Sequence, residues 1–213
     1  MSQVSQGIAQ AIESPLISLP LPRAESPEPH PAWAECLEPT RWRSWDDQSV
    51  EEEVAWFLTA LVLLLKPDVI VETGTGLGRS TVALAAGLKA LGRGRLWTIE
   101  VNDALFEEAV CQLMHSHVLD WVKAVTTVTL DDVLRMCGPV DLFFCDSAIT
   151  GRGEEVRRVL PCLSRRGVIA VHDTSFHHKT PREELERLSG EFNLSLLHLP
   201  TPRGLTLTRV NLP

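Results

Sequence analysis

The stretch Val69-Ile70-Val71-Glu72-Thr73-Gly74-Thr75-Gly76-Leu77-Gly78-Arg79-Ser80-Thr81 decides how the chain is read. A short β-branched apolar run, Val69 to Val71, ends in a carboxylate and then in a loop with glycine at every second position. Val82, Leu84, Ala85, Leu88 and Leu91 follow at helical spacing, so the stretch reads as strand, tight turn, helix. Glycine at 74, 76 and 78 permits positive φ and lets a ligand approach the bare backbone. Free N–H groups at the helix start favour an anionic group there. Glu72 repels a pyrophosphate and suits a ligand with positive charge or hydroxyls. The dinucleotide fingerprint does not fit, because its third glycine would fall on Arg79, and no Gly-Lys-Ser/Thr follows to make a P-loop.

Downstream, strands and helices alternate. Strands are predicted over Arg95–Val101, Trp121–Thr127, Asp141–Cys145 and Val168–Val171, with helices over Ala104–His117, Asp131–Met136 and Glu154–Leu163 between them. Such alternation gives an α/β fold with a mostly parallel sheet and helices on both faces. It breaks at the end, where a helix over Arg182–Leu188 leads to two β-like runs, Leu194–Leu199 and Leu205–Val210. Thr201-Pro202-Arg203-Gly204 between them has hairpin chemistry. Upstream, a helix is expected up to Leu65, capped by Asp46 or Asp47, with Glu51, Glu52 and Glu53 in its first turns, where the dipole favours them.

Residues 1–45 differ in kind. Seven of the fourteen prolines lie before Arg41, and that density favours an extended or disordered arm. Trp33, Trp42 and Trp45 suggest contacts made by its last third. The division expected is a proline-rich arm over 1–45 and one domain over 46–213. A net charge of −8 argues against nucleic acid as the main partner. The longest apolar run, Ala55–Leu65, is shorter than the ~20 residues a membrane span needs. Five cysteines without a Cys-x-x-Cys pair read as reduced residues, and with no leader-like start the chain is expected to be cytoplasmic.

The pattern Glu-x-Gly-x-Gly-x-Gly, followed by this alternation and a closing hairpin, resembles the class I S-adenosylmethionine-dependent methyltransferases. The resemblance implies a Rossmann-like seven-stranded sheet. It also implies a cosubstrate site built from Glu72, Gly74, Thr75, Gly76, Gly78, Arg79 and Ser80, with Asp146 at the fourth strand tip. Glu100 then corresponds to the acid that receives both ribose hydroxyls. Thr129, Leu130 and Asp131 fall where adenine is contacted.

Asp146 ends the fourth predicted strand and His172-Asp173-Thr174 the fifth, so the two carboxylates face one site if those strands are neighbours. Asp146, Asp173 and Thr174 make an oxygen-rich set suited to Mg²⁺. These tips resemble the small-molecule O-methyltransferases of the catechol and caffeoyl-CoA type and the bacterial sugar and antibiotic O-methyltransferases. That implies methyl transfer to the hydroxyl of a small acceptor, with a divalent metal as an optional aid. The chain departs from those relatives at Ala148 and Ile149, where their basic side chain would stand. Asp146, His172 and His177 are the catalytic candidates, with His178 beside them, since histidine titrates near neutrality. A homodimer fits this reading. Two alternatives stay open: a degenerate cosubstrate-binding scaffold or subunit, and a nicotinamide-dependent oxidoreductase.

Overall fold

The computed structural model describes residues 41–46, 48–175 and 178–211. Helix α1 (Glu52–Leu65) leads into β1 (Val69–Thr73), followed by α2 (Arg79–Leu91), β2 (Arg95–Ile99), α3 (Asp103–His115) and β3 (Val122–Val125). Then come α4 (Leu130–Cys137), β4 (Val140–Cys145), α5 (Arg152–Val159), β5 (Leu163–His172), α6 (Lys179–Phe192), β6 (Leu194–Leu199) and β7 (Leu205–Val210). All seven strands join one sheet in the order β3-β2-β1-β4-β5-β7-β6. The first five strands are parallel, and β7 pairs antiparallel with both β5 and β6. The expected α/β fold with a closing hairpin is the fold observed. Among the described residues, no helix is long and apolar enough to cross a membrane.

Side-chain alternation along each strand divides the core in two. Ile70, Leu142, Phe144 and Ala170 point to the face covered by α1, α2 and α3, where they meet Leu58, Leu84, Leu88 and Leu113. Val71, Phe143, Cys145, Ile169 and Val171 point to the other face, against Val133 of α4, Val156 of α5 and Leu185 of α6. Every residue of β4 is buried, as its near-continuous apolar run requires of a strand covered on both sides.

Helix α1 begins later than the sequence suggested. Asp46 does not cap it; its carboxylate receives the N–H groups of Gln48 and Ser49 in the turn before. Asp47 lies outside the described residues, as do residues 1–40, so most of the proline-rich arm, Trp33 included, falls outside too. Glu51 stands at the N-cap of α1 but makes no side-chain capping bond there and is fully buried. Strand β5 starts at Leu163, ahead of the expected Val168, and pairs with β4 through a register shift between Val140 and Leu142.

Helices α1 and α2 touch through Gly87, whose missing side chain makes room for Val62. A Cβ on Gly87 would sit 2.7 Å from Val62 Cβ and 3.2 Å from the Thr59 carbonyl. Valine is stiff at χ1 and cannot swing aside. Gly87→Ala gains helix propensity, about 1 kcal/mol, but forces the two helices apart. We expect a net loss of about 1–3 kcal/mol, read as a lower urea midpoint at unchanged slope.

Candidate active site

In an open α/β sheet, ligands gather at the carboxyl ends of the strands. Here that edge carries two polar networks with a cavity beside them.

The first network supports the glycine turn. Glu72, fully buried at the end of β1, accepts hydrogen bonds from Ser80 Oγ (2.6 Å), Thr81 Oγ1 (2.6 Å) and Thr98 Oγ1 (2.7 Å). Thr98 also bonds Thr75 across 2.6 Å. Burial pushes the Glu72 carboxyl up to about 7 even against these three hydroxyls. Glu72, Thr75 and Ser80 thus hold the turn's shape from below. Gly74 takes φ +83°, and a Cβ there would lie 2.3 Å from the Asp146 carbonyl oxygen, so the turn presses directly on the tip of β4. At Gly76 nothing lies within 4 Å of that position, and its N–H donates to Glu100 Oε2 at 2.8 Å.

The cavity, of about 490 Å³, opens beside this turn. Gly74, Glu100, Thr129, Leu130 and Ser147 line it, together with Asp103, Glu155 and Arg158. Glu100 is nearly buried and is oriented by Val101 N–H and Asn102 N–H on its other oxygen (2.8 and 2.9 Å). A carboxylate has about four acceptor positions, so these three donors leave capacity for a ligand hydroxyl. Ser147 Oγ is buried and has no partner among the described residues.

The second network joins the tips of β4 and β5 to α1 and the hairpin. His172 is fully buried, with Nδ1 at 3.1 Å from Asp146 Oδ1 and Nε2 at 2.8 Å from Glu51 Oε2. Arg152 bonds Asp146 (3.0 Å), Asp173 (2.8 Å) and the carbonyls of Ser147 and His172. Arg203, from the hairpin turn, forks onto both oxygens of Asp173 at 2.6 and 2.9 Å. Burial opposes a charged His172, but Asp146, Asp173 and Glu51 outweigh it and raise the imidazole to about 10. Burial likewise opposes charge on Asp173, yet His172, Arg152 and Arg203 hold it well below the usual carboxylate range.

These contacts revise the residue assignments. His172 stays protonated at neutral pH and cannot take a proton from an acceptor. His177 lies outside the described residues. His178 precedes α6, bonds Ser175 Oγ through Nδ1 (3.1 Å), and is held below its ordinary value by burial, so it is uncharged at neutral pH. Thr174 is buried, and its hydroxyl oxygen accepts from Thr206 Oγ1 at 2.7 Å. Of the residues expected around the cosubstrate, Gly74, Glu100, Thr129 and Leu130 line the cavity. Asp131 turns to Arg158 on the surface. Arg79 stacks on Trp45 and faces a separate cavity of about 230 Å³ between α1, α2 and α3. Asp146 belongs to the ion network. Reading the sequence missed Glu51, Arg152 and Arg203. Nothing local marks them, since each has a partner more than twenty positions away along the chain.

The fold has known counterparts. Residues 71–174 match the family model of a methyltransferase domain. They read as a methyltransferase domain. The fold is similar to an O-methyltransferase of tomaymycin synthesis from Streptomyces achromogenes, solved with S-adenosylmethionine (22% identity, 77% of this chain and 82% of that one, TM-score 0.65). It is similar to an O-methyltransferase from Bacillus cereus in complex with S-adenosylhomocysteine (20%, 78% and 84%, TM-score 0.67). A Podospora anserina methyltransferase bound to S-adenosylhomocysteine aligns over 99% of this chain and 97% of its own (19%, TM-score 0.68). No curated protein matches the chain in sequence.

Glu72 offers a direct check on the first network. Its folded value of about 7 lies above the ordinary 4.5. Its contribution is therefore fully present below pH 4.5 and is lost as pH rises through 7. The loss should amount to about 3 kcal/mol. Glu72→Gln should flatten that decline relative to wild type when urea unfolding is followed from about pH 5 to about pH 8. An identical pH dependence in both proteins would refute the assignment.

Proposed function

We propose that this chain transfers the methyl group of S-adenosylmethionine to an oxygen of a small-molecule acceptor. The observation that carries the reading is Glu100. An oriented, nearly buried carboxylate stands at the tip of β2, bonded to the glycine turn and lining a cavity large enough for a nucleoside. A ribose hydroxyl would match the acceptor position that its three backbone donors leave open. Thr129 and Leu130, at the start of α4, would border the base, and Ser147 Oγ would gain the partner it lacks.

In the reaction, a lone pair of the acceptor oxygen attacks the methyl carbon as the carbon–sulfur bond breaks. The bonding pair goes to sulfur, leaving S-adenosylhomocysteine, and the acceptor hydroxyl proton passes to a base. The protein contributes chiefly alignment of the two partners. His178 is our candidate for the base, because it is the described histidine of this cluster that is uncharged at neutral pH. The cytoplasm, a domain spanning residues 46–213 and a homodimer complete the reading.

Calorimetric titration with S-adenosylhomocysteine tests the first part. We expect saturable binding, reduced at least about tenfold in Glu100→Ala through loss of charge-assisted hydrogen bonds. No binding by wild type would end the methyltransferase reading. Binding without turnover on any hydroxylated acceptor would favour the scaffold.

His178→Ala should retain that binding while lowering kcat by roughly 10²–10⁴, the usual worth of a general base. An unchanged kcat would remove His178 from the mechanism.

A further inference from the structure

One ligand atom each from Asp146, His172 and Asp173 lies within 4.8 Å of the other two, a spacing that could enclose a cation. The donor chemistry argues otherwise. Both oxygens of Asp173 are engaged by guanidinium groups, Oδ1 by Arg203 and Oδ2 by Arg152 and Arg203. Asp146 Oδ1 faces both Arg152 and His172. Each ring nitrogen of His172 faces a carboxylate oxygen, Nδ1 Asp146 and Nε2 Glu51, which leaves no lone pair directed at a metal.

The guanidinium groups cannot simply withdraw. The Arg152 side chain is 3% exposed and is anchored by the Ser147 carbonyl through Nε and Nη2. Arg203 is anchored by the Ser49 carbonyl as well as Asp173. Three carboxylates (Glu51, Asp146, Asp173) and three cations (Arg152, His172, Arg203) make a charge-balanced set. A divalent ion added to it would meet two fixed guanidinium groups and no uncompensated negative charge.

We propose that Arg152 and Arg203 hold the position a divalent metal would take, so that this site binds no metal and methyl transfer proceeds without one. The second clause rests on the methyl-transfer reading; the first stands on the contacts alone. The neutral cluster then acts by position. It fixes Asp146 and Ser147 against Gly74, and it draws the segment before α1 over the tips of β4 and β5 through Glu51.

The test uses the full chain after chelator treatment, with S-adenosylhomocysteine added and its binding followed calorimetrically in the same sample. Mn²⁺ is titrated under electron paramagnetic resonance, and thermal melting is followed with EDTA and with Mg²⁺. We expect no stoichiometric Mn²⁺ binding and the same melting temperature in both buffers. Saturable binding of one Mn²⁺ per chain, with a Mg²⁺-dependent rise in melting temperature that Asp173→Asn abolishes, would overturn the proposal. Failure of S-adenosylhomocysteine to bind would instead count against the methyltransferase reading, leaving the metal titration to decide this proposal separately.

Discussion

The constraint on which this structure turns is the neutrality of buried charge at one edge of its sheet. Asp173 and His172 are almost inaccessible, as are Arg152 and Glu51. Isolated, each would be too costly to ionise away from water. Together they close a set in which each charge has an opposite within hydrogen-bond reach. Removing one partner from such a set typically costs about 3–5 kcal/mol, because another charge is left buried and unpaired. The set therefore joins elements from distant parts of the chain. Glu51 comes from before α1, Asp146 from the tip of β4, Arg152 from α5, His172 and Asp173 from the end of β5, and Arg203 from the hairpin turn.

Across the turn that contains Gly74, the first network obeys a different rule. Glu72 is met by three hydroxyl groups, with no cation among its hydrogen-bond partners, so burial raises its proton affinity. It is a hydrogen-bonded anchor beneath the glycine loop. That place explains why a carboxylate so prominent in the sequence lines no part of the cavity. Glu100, which directly follows β2 and is held by backbone amides, is the carboxylate that does.

The cavity and the ion cluster meet at Asp146 and Ser147. The backbone of Asp146 supports Gly74, its side chain belongs to the cluster, and the next residue lines the cavity. A cosubstrate in that cavity would thus lie against a rigid wall whose position the ion pairs set. Such a wall suits a reaction in which most of the catalytic benefit comes from holding two reactants in line.

The alternation of elements, the parallel order and the closing hairpin were legible in the sequence, because period-two and helical periodicity are local and repeat in every element. β6 and β7 fall on Leu194–Leu199 and Leu205–Val210, as their patterns indicate. The glycine turn and Glu100 were legible for the same reason, since each sits directly after a strand. The ion cluster was not. Glu51 looks like one of three helix-start acids, Arg152 like part of a solvated basic face, and Arg203 like a turn residue. Their roles rest on distant contacts such as Arg152 with Asp173, 21 positions apart, and Arg203 with Glu51, 152 positions apart. Local pattern was therefore enough to specify the fold and the edge of the sheet where a ligand can bind. Which charges face one another emerged with the folded arrangement, and with it the finding that guanidinium groups engage the carboxylates a metal would need. Pairing of buried charge is a property of space and leaves no local pattern.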